Sequence, residues 1–390
     1  MSRFWILDFG FWIGLFGHRF LNRRSRSGSN RRGFFGFRIR FRSTIQNPKS
    51  KIQNLAPLAL LLLLAGCLPS SCTRTESQAI APVDSLSRQM ATQMTPDTLR
   101  LVRRMAGPPE APLAYPRTVL FGPDGRLFAG DAERNSVYTF APDGTFLDEI
   151  TWDGAAIPYL AGLRGDTLLV FSPEARRIDF IRRGVSVRHV ATPDDLPEGP
   201  LQYATATDEA VYVKVTAKNF AGYLARLDAG GRVSARVPLP GSEWRHAGLL
   251  RAWGDSLLSL SAFFPIVDVL APDLATPLDS MALLGFDSPM LRRTFAFRQG
   301  EARQAPLLSS SAAPADDWLF VLNLRPGWLR IDVYDRTGRL QHILVEGEPA
   351  YDKQFYPIDL AARRSETGGY ELAVALLEPV PEIRLYRWTG

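Results

Sequence analysis

The chain has 390 residues, 46% of them apolar, enough for a folded domain with a sizeable core. Its formal charge of +6 comes from one end: residues 1–66 hold 12 Lys and Arg against the single acid Asp8, leaving 34 of the 46 bases and 39 of the 40 acids beyond them. That remainder is mildly acidic, which argues against a nucleic-acid partner, and two cysteines, Cys67 and Cys72, exclude a disulfide-rich scaffold.

Residues 1–48 are rich in Phe, Trp, Arg, Gly and Ser, as in Phe34-Phe35-Gly36-Phe37-Arg38. They read as a start assigned too far upstream, the alternative being a basic, aromatic arm for a membrane surface. No Met lies between Met1 and Cys67, so a later start needs an alternative codon. Residues 49–66 place Lys49 and Lys51 before the apolar run Leu55 to Gly66. That run is shorter than the roughly 20 residues a bilayer span requires. Leu64-Ala65-Gly66-Cys67 resembles the lipobox of bacterial lipoproteins at all four positions. The resemblance implies a signal peptide over 49–66, acylation of the Cys67 thiol, and a membrane as partner through the lipid anchor. Cleavage before Cys72 is the weaker alternative, because Pro69-Ser70-Ser71 is a poor lipobox. Leu68 stands where an inner-membrane retention signal has Asp, so the expected location is the cell envelope, at the outer membrane. Residues 67–97, polar apart from a weakly patterned stretch around Val83 to Met94, read as a tether.

From residue 98 to 390 the chain becomes a succession of short β-type runs broken by turns. Thr118 to Phe121, Arg126 to Ala129, Asn135 to Phe140 and Thr145 to Ile150 are four strands in about 33 residues. Asp124-Gly125 and Asp143-Gly144 supply the positive φ that tight hairpins need. Four hairpin-linked strands of this kind make one propeller blade. The layout recurs with first turns at Gly165-Asp166, Asp208-Glu209, Gly254-Asp255, Asp316-Asp317 and Gly368-Gly369. Uneven spacing fits a repeat near 45 residues with two longer insertions. The sixth unit has only three strands, and Leu99 to Arg104 is an alternating run without a partner. An open edge is an aggregation hazard, so that run is expected to complete the sixth unit and close the ring. The predicted fold is therefore all-β, a six-bladed β-propeller closed by an N-terminal strand; a sandwich or barrel is the alternative.

Gly130-Asp131, Asn135 and Tyr138-Thr139-Phe140 resemble an NHL-type repeat, with a weaker match over Trp328 to Leu340. The chain is thus similar to six-bladed propeller lipoproteins. Enzymes that occur on such propellers usually hold a metal at the axis through Glu, Asp, Asn or His. Here Asp359 and His246 are the only obvious candidates, too few for a tight site, so no metal and no cofactor are expected.

Phosphate loops, HExxH, CxxC pairs and GxSxG elbows are all absent from the sequence. His189 and His342 read as surface residues, and Asp131 as a structural tie for its loop. The candidate ligand-binding residues come from the lead-ins to the innermost strands: Arg117, Tyr159, Tyr203, Arg245, His246, Tyr356 and Asp359. Aromatic and cationic residues recurring there suit a site that stacks rings or sugars and holds an anion; the competing role is wedging between blades. The expected function is a monomeric, membrane-anchored binding or scaffold module for a protein or carbohydrate-like ligand at the channel entrance. The alternative is a propeller enzyme of lactonase, lyase or sugar dehydrogenase type acting on a small polar substrate.

Overall fold

The computed structural model describes residues 87–390 apart from 195, 197, 198, 200, 218–220, 242, 243, 276–278, 303, 304, 348–351 and 353. The expectations for 1–48, for 49–66 and for Cys67 lie outside the described residues. No helix among those described is long and apolar enough to cross a membrane.

Strand β1 (Asp97–Met105) comes first, and four antiparallel sheets of four strands follow. The first contains β2 (Pro116–Phe121), β3 (Leu127–Asp131), β4 (Ser136–Phe140) and β5 (Phe146–Ile150). The second contains β6 (Tyr159–Arg164), β7 (Thr167–Ser172), β8 (Arg177–Arg182) and β9 (Val185–Ala191). β10 (Leu201–Ala206), β11 (Val211–Thr216), β12 (Gly222–Leu227) and β13 (Val233–Leu239) make the third. β14 (Leu250–Trp253), β15 (Ser256–Leu260), β16 (Ile266–Leu270) and β17 (Asp279–Ala282) make the fourth. The rest form one eight-stranded sheet from β18 (Ser309–Ala315), β19 (Trp318–Asn323), β20 (Arg330–Tyr334), β21 (Leu340–Glu346), β22 (Tyr356–Arg364), β23 (Tyr370–Glu378), β24 (Glu382–Trp388) and β1. In space it runs β18-β19-β20-β21-β1-β24-β23-β22.

The leading strand of each four lies innermost. β2 packs on β6, β6 on β10, β10 on β14, β14 on β18, β18 on β22, and β22 returns to β2. This closed circuit of sheets is a β-propeller. Core clusters fill the gaps between neighbouring sheets. Phe320, Tyr370 and Trp388 pack ring against ring at 5.2–6.1 Å across β19, β23 and β24. Each such buried large apolar side chain contributes roughly 1.5–3 kcal/mol by its removal from water.

β1 is shared between two partners. Asp97–Leu99 run parallel to β21, and Arg100–Met105 run antiparallel to β24, with a bulge between Leu101 and Arg103. Gly144, in the turn between β4 and β5, sits against it at φ +82°, and a Cβ there would lie 2.7 Å from Arg103 Cδ. The turn therefore needs glycine both for its backbone and for this close approach.

Two parts of the sequence reading are corrected here. The stretch read as tether up to residue 97 docks on the ring from Ser87 onward. Residues 87–93 are helical, Ser87 and Ala91 are buried, and Gly285 N donates to Ser87 Oγ at 2.9 Å. Met90 and Met94 pack on the cluster around Leu249 and Phe286. Small residues at 87 and 91 and methionines at 90 and 94 share one helical stripe, the part of the weakly patterned stretch around Val83 to Met94 that reaches the ring. A second helix, Leu291–Arg298, occupies the longest insertion, between β17 and β18, where the sequence was read as strands and turns alone.

Candidate functional site

One polar cluster draws a residue from every innermost strand: Arg117 (β2), Tyr159 (β6), Tyr203 (β10), Arg251 (β14), Ser311 (β18) and Asp359 (β22). Its centre is the Asp359 carboxylate. Arg251 Nη2 donates to both its oxygens at 2.7 and 2.9 Å. Ser311 Oγ donates to Oδ1 at 2.5 Å, and the Val119 backbone N donates to Oδ2 at 2.9 Å. Arg251 Nη1 turns the other way and donates to Tyr159 Oη at 3.1 Å. Arg251 thus reaches past β18 on one side and past β10 on the other, which puts its guanidinium at the axis of the ring.

Aromatic rings wall this strut. The Arg251 and Arg117 guanidinium carbons lie 5.7 and 6.0 Å from the centroid of Tyr159. Tyr203 meets Tyr159 edge-on at 5.7 Å, and Lys214 Nζ lies 5.7 Å from the Tyr203 centroid. Such cation–ring contacts gain strength where water is excluded. Burial pushes the Tyr159 and Tyr203 phenols above the ordinary tyrosine value. Burial alone would lower Arg251, but the Asp359 carboxylate outweighs it and holds the guanidinium above its usual value.

Of the seven residues chosen from the sequence, four converge here: Arg117, Tyr159, Tyr203 and Asp359. Tyr356 opens β22 three residues before Asp359 and is half-buried. Arg245 and His246, in the loop that enters the fourth sheet, form a different cluster with side chains of β16 and β17. Arg245 Nη2 donates to Asp268 Oδ1 at 2.5 Å and to Ser280 Oγ at 2.9 Å. His246 Nδ1 lies 3.1 Å from Asp268 Oδ2, and its Nε2 lies 2.6 Å from the Pro240 carbonyl oxygen. Burial raises the Asp268 pKa, but His246, Arg245 and Ser280 outweigh it and leave the carboxyl below its ordinary value. The reason for the difference is register. β14 begins only at Leu250, so the position equivalent to Arg117 in this sheet is Arg251.

Arg251, Ser311 and Lys214 were not singled out in the sequence. Lys214 is fully buried, with Nζ donating to Leu249 O and Ser259 Oγ at 3.0 Å and to Leu260 O at 3.5 Å. Burial pushes its ammonium down to about 7. Asp131 does tie its loop: its carboxylate accepts from the backbone N of Ala114, Tyr115, Glu133 and Arg134. His189 is exposed, and His342 pairs with Asp97 at 2.9 Å where β1 meets β21. Among the described residues no three His, Cys, Asp or Glu side chains gather in a way that could hold a metal ion.

No family model matches the chain, and no curated protein matches it. Among solved structures, a catalytically inactive virginiamycin B lyase from Staphylococcus aureus with quinupristin is similar at 12% identity and a TM-score of 0.45, over 70% of this chain and 81% of that one. Regucalcin, a calcium-binding protein from Agrobacterium tumefaciens, is similar at 11% identity and a TM-score of 0.48, over 76% of this chain and 95% of that one. The Pan2 WD40 domain from Neurospora crassa is similar at 9% identity and a TM-score of 0.46, over 76% and 98%. The propeller assignment rests on the strand pairing, since these three TM-scores lie below 0.5.

Proposed function

We propose that the chain is a six-bladed propeller, lipid-anchored at Cys67 in the cell envelope, that binds a small anionic or carbohydrate-like ligand at its axis. The count of six treats the eight-stranded sheet as two blades joined through β1. The observation that carries the binding reading is the convergence of two guanidinium groups on the Tyr159 ring, with Tyr203 edge-on beside it. The one carboxylate in the set, Asp359, has both oxygens engaged by Arg251, Ser311 and Val119. A sugar acid set against this wall would find guanidinium donors for its oxygens and an aromatic surface for its C–H face.

A propeller enzyme of lactonase, lyase or sugar dehydrogenase type is the second reading, and Lys214 is what favours it. An amine that gives up its proton near neutrality has the acidity a general base needs. Lys214 is nevertheless enclosed by three oxygens with no exposed surface, so a substrate would have to displace Ser259 or two main-chain carbonyls to reach it. Binding is the better-supported function.

Calorimetric titration with galacturonate, galactose and inorganic phosphate tests this directly. Galacturonate is expected to bind more tightly than galactose, and Arg117→Met to weaken it about tenfold, the value of one charge-assisted hydrogen bond. Equal binding of the two sugars, or an unchanged affinity in Arg117→Met, would rule the site out. Turnover of a sugar lactone by the wild type would favour the enzyme instead.

A further inference from the structure

Four of the chain's six methionines meet in one place. Met281 belongs to the buried cluster around Leu249 and Phe286, and Met90, Met94 and Met290 pack against it, each half-buried. Met105 is buried in a different cluster with Tyr138 and Phe140, and Met1 lies outside the described residues. The shared cluster fills the seam between two groups of strands: Leu258 and Val267 come from the fourth sheet, Leu319 and Leu340 from β19 and β21. Residues 87–94 cover that seam and lead directly into β1, which continues to β21 and then β24. The N-terminal segment is thus a strap laid across successive groups of strands, and methionines fasten its first step.

The chemistry of that fastening is specific. Arg88, Gln89, Thr92 and Gln93 are exposed, and the ring-facing stripe is Ser87, Met90, Ala91 and Met94. Ser87 accepts one hydrogen bond, from Gly285 N at 2.9 Å, and Ala91 offers a single methyl, so the bulk of the apolar contact comes from two thioethers. A thioether is unbranched and polarisable, which suits an irregular seam. It is also a side chain whose apolar character an oxidant can remove. A sulfoxide oxygen is a strong hydrogen-bond acceptor, and burying it without a donor is costly. Among the described residues the two buried members of the seam with a polar tip are already engaged. Trp253 Nε1 donates to the Asp316 carbonyl oxygen at 2.9 Å, and Tyr334 Oη donates to Asp332 Oδ2 at 3.5 Å.

Exposure decides which sulfur reacts first. Met90 and Met94 are half-buried, whereas Met105 and Met281 are only 4% and 9% exposed. We infer that Met90 and Met94 form an oxidation site for hydroperoxides, whose modification releases residues 87–94 from the seam while the propeller stays closed. Each thioether sulfur gives a lone pair to the terminal peroxide oxygen, and the S–O bond forms as the O–O bond breaks. The departing oxygen takes the proton of the transferred hydroxyl and leaves as water or an alcohol. Sulfur is oxidised by two electrons and the peroxide is reduced by two. The backbone ladders of β1 with β21 and β24 do not depend on the stripe, so they persist.

Two measurements on the full chain test this. Peptide mass spectrometry during graded exposure to hydrogen peroxide should find Met90 and Met94 as sulfoxides before Met105 and Met281. In the oxidised protein the Gly285 amide, which Ser87 Oγ holds, should exchange about tenfold faster, the value of one net hydrogen bond. Amides of β1 and of β2 to β5 should be unchanged. Met90→Leu with Met94→Leu should keep Gly285 protected after peroxide, because leucine preserves the apolar volume and has no sulfur to oxidise. Met290→Leu should respond as wild type does. Oxidation of Met105 as early as Met90 and Met94 would overturn the inference, as would Gly285 protection that their oxidation leaves intact. The same loss of protection in the double-leucine variant would overturn it too, and protection lost across β1 or the first sheet would mean general unfolding instead. If thermal melts show the double variant to be misfolded, Met90→Leu and Met94→Leu are read singly, and the wild-type peroxide series decides the order of reaction by itself.

Discussion

Two buried clusters, each centred on one aspartate, hold the propeller in different ways. Asp359 collects a guanidinium from β14, a hydroxyl from β18 and a backbone N–H from β2, so one carboxylate joins strands from four sheets' worth of chain. Asp268 collects Arg245, His246 and Ser280, all from the stretch just before β14 to β17. The side-chain chemistry is nearly the same in both. What differs is span: the first cluster is a tie across the ring, and the second is a tie within one sheet and its entering loop.

That contrast predicts different failures. Asp359→Ala leaves the Arg251 guanidinium buried without its carboxylate, and should cost about 4 kcal/mol in urea unfolding. Amides of β2, β14, β18 and β22 should lose exchange protection together. A cost below about 2 kcal/mol, or protection lost in one sheet alone, would remove the distinction. Asp268→Asn should cost less, about 2 kcal/mol, with exchange rising only in 244–249, β16 and β17. The Asp268 carboxyl is lower in the folded protein than its ordinary 3.8, so its contribution is complete above that value and lost as pH falls through the lower folded one. Wild type should therefore lose stability below about pH 4 more steeply than Asp268→Asn does.

The smallest effect per step, read as a slope with pH, concerns Lys214, which lies beside both clusters. Its folded value of about 7 is below the ordinary 10.5, so between those values the unfolded chain binds more protons than the folded one. Stability should then rise with pH across that window, by at most about 1.4 kcal/mol per pH unit, and be flat below it. Subtracting the melting profile of Lys214→Met should isolate this slope. A difference that is flat from pH 7 to pH 10 would mean that the ammonium persists in the folded state.

The strands were legible because their signals are local. Asp124-Gly125 and Asp143-Gly144 form turns wherever apolar runs flank them, and Arg126 to Ile150 folds much as its pattern reads. Asp131 was legible for the same reason, since two of its four partners lie within three residues. Lys214 was not. Alternation in Val211-Tyr212-Val213-Lys214 suggests a solvent face, but every residue of β11 is buried because neighbouring sheets cover both of its faces. Arg251 was hidden by register: Trp244-Arg245-His246 looks like a strand lead-in, while β14 starts at Leu250. Ser311 carries no signal of its own, and its role exists only because Asp359 arrives beside it from β22.

The doubly paired β1 also sets an order of events for a newly made chain. Of the described strands, the one that completes the ring is the first synthesised, and both its partners, β21 and β24, are among the last. Each four-stranded sheet can gather from neighbours in the sequence as it emerges, but β1 must wait with its edges bare until Trp388 has been added. Contacts at such sequence separation form slowly. The interval before closure is when this protein is most exposed to mispairing, and when a chaperone holding residues 97–105 would do most to protect it.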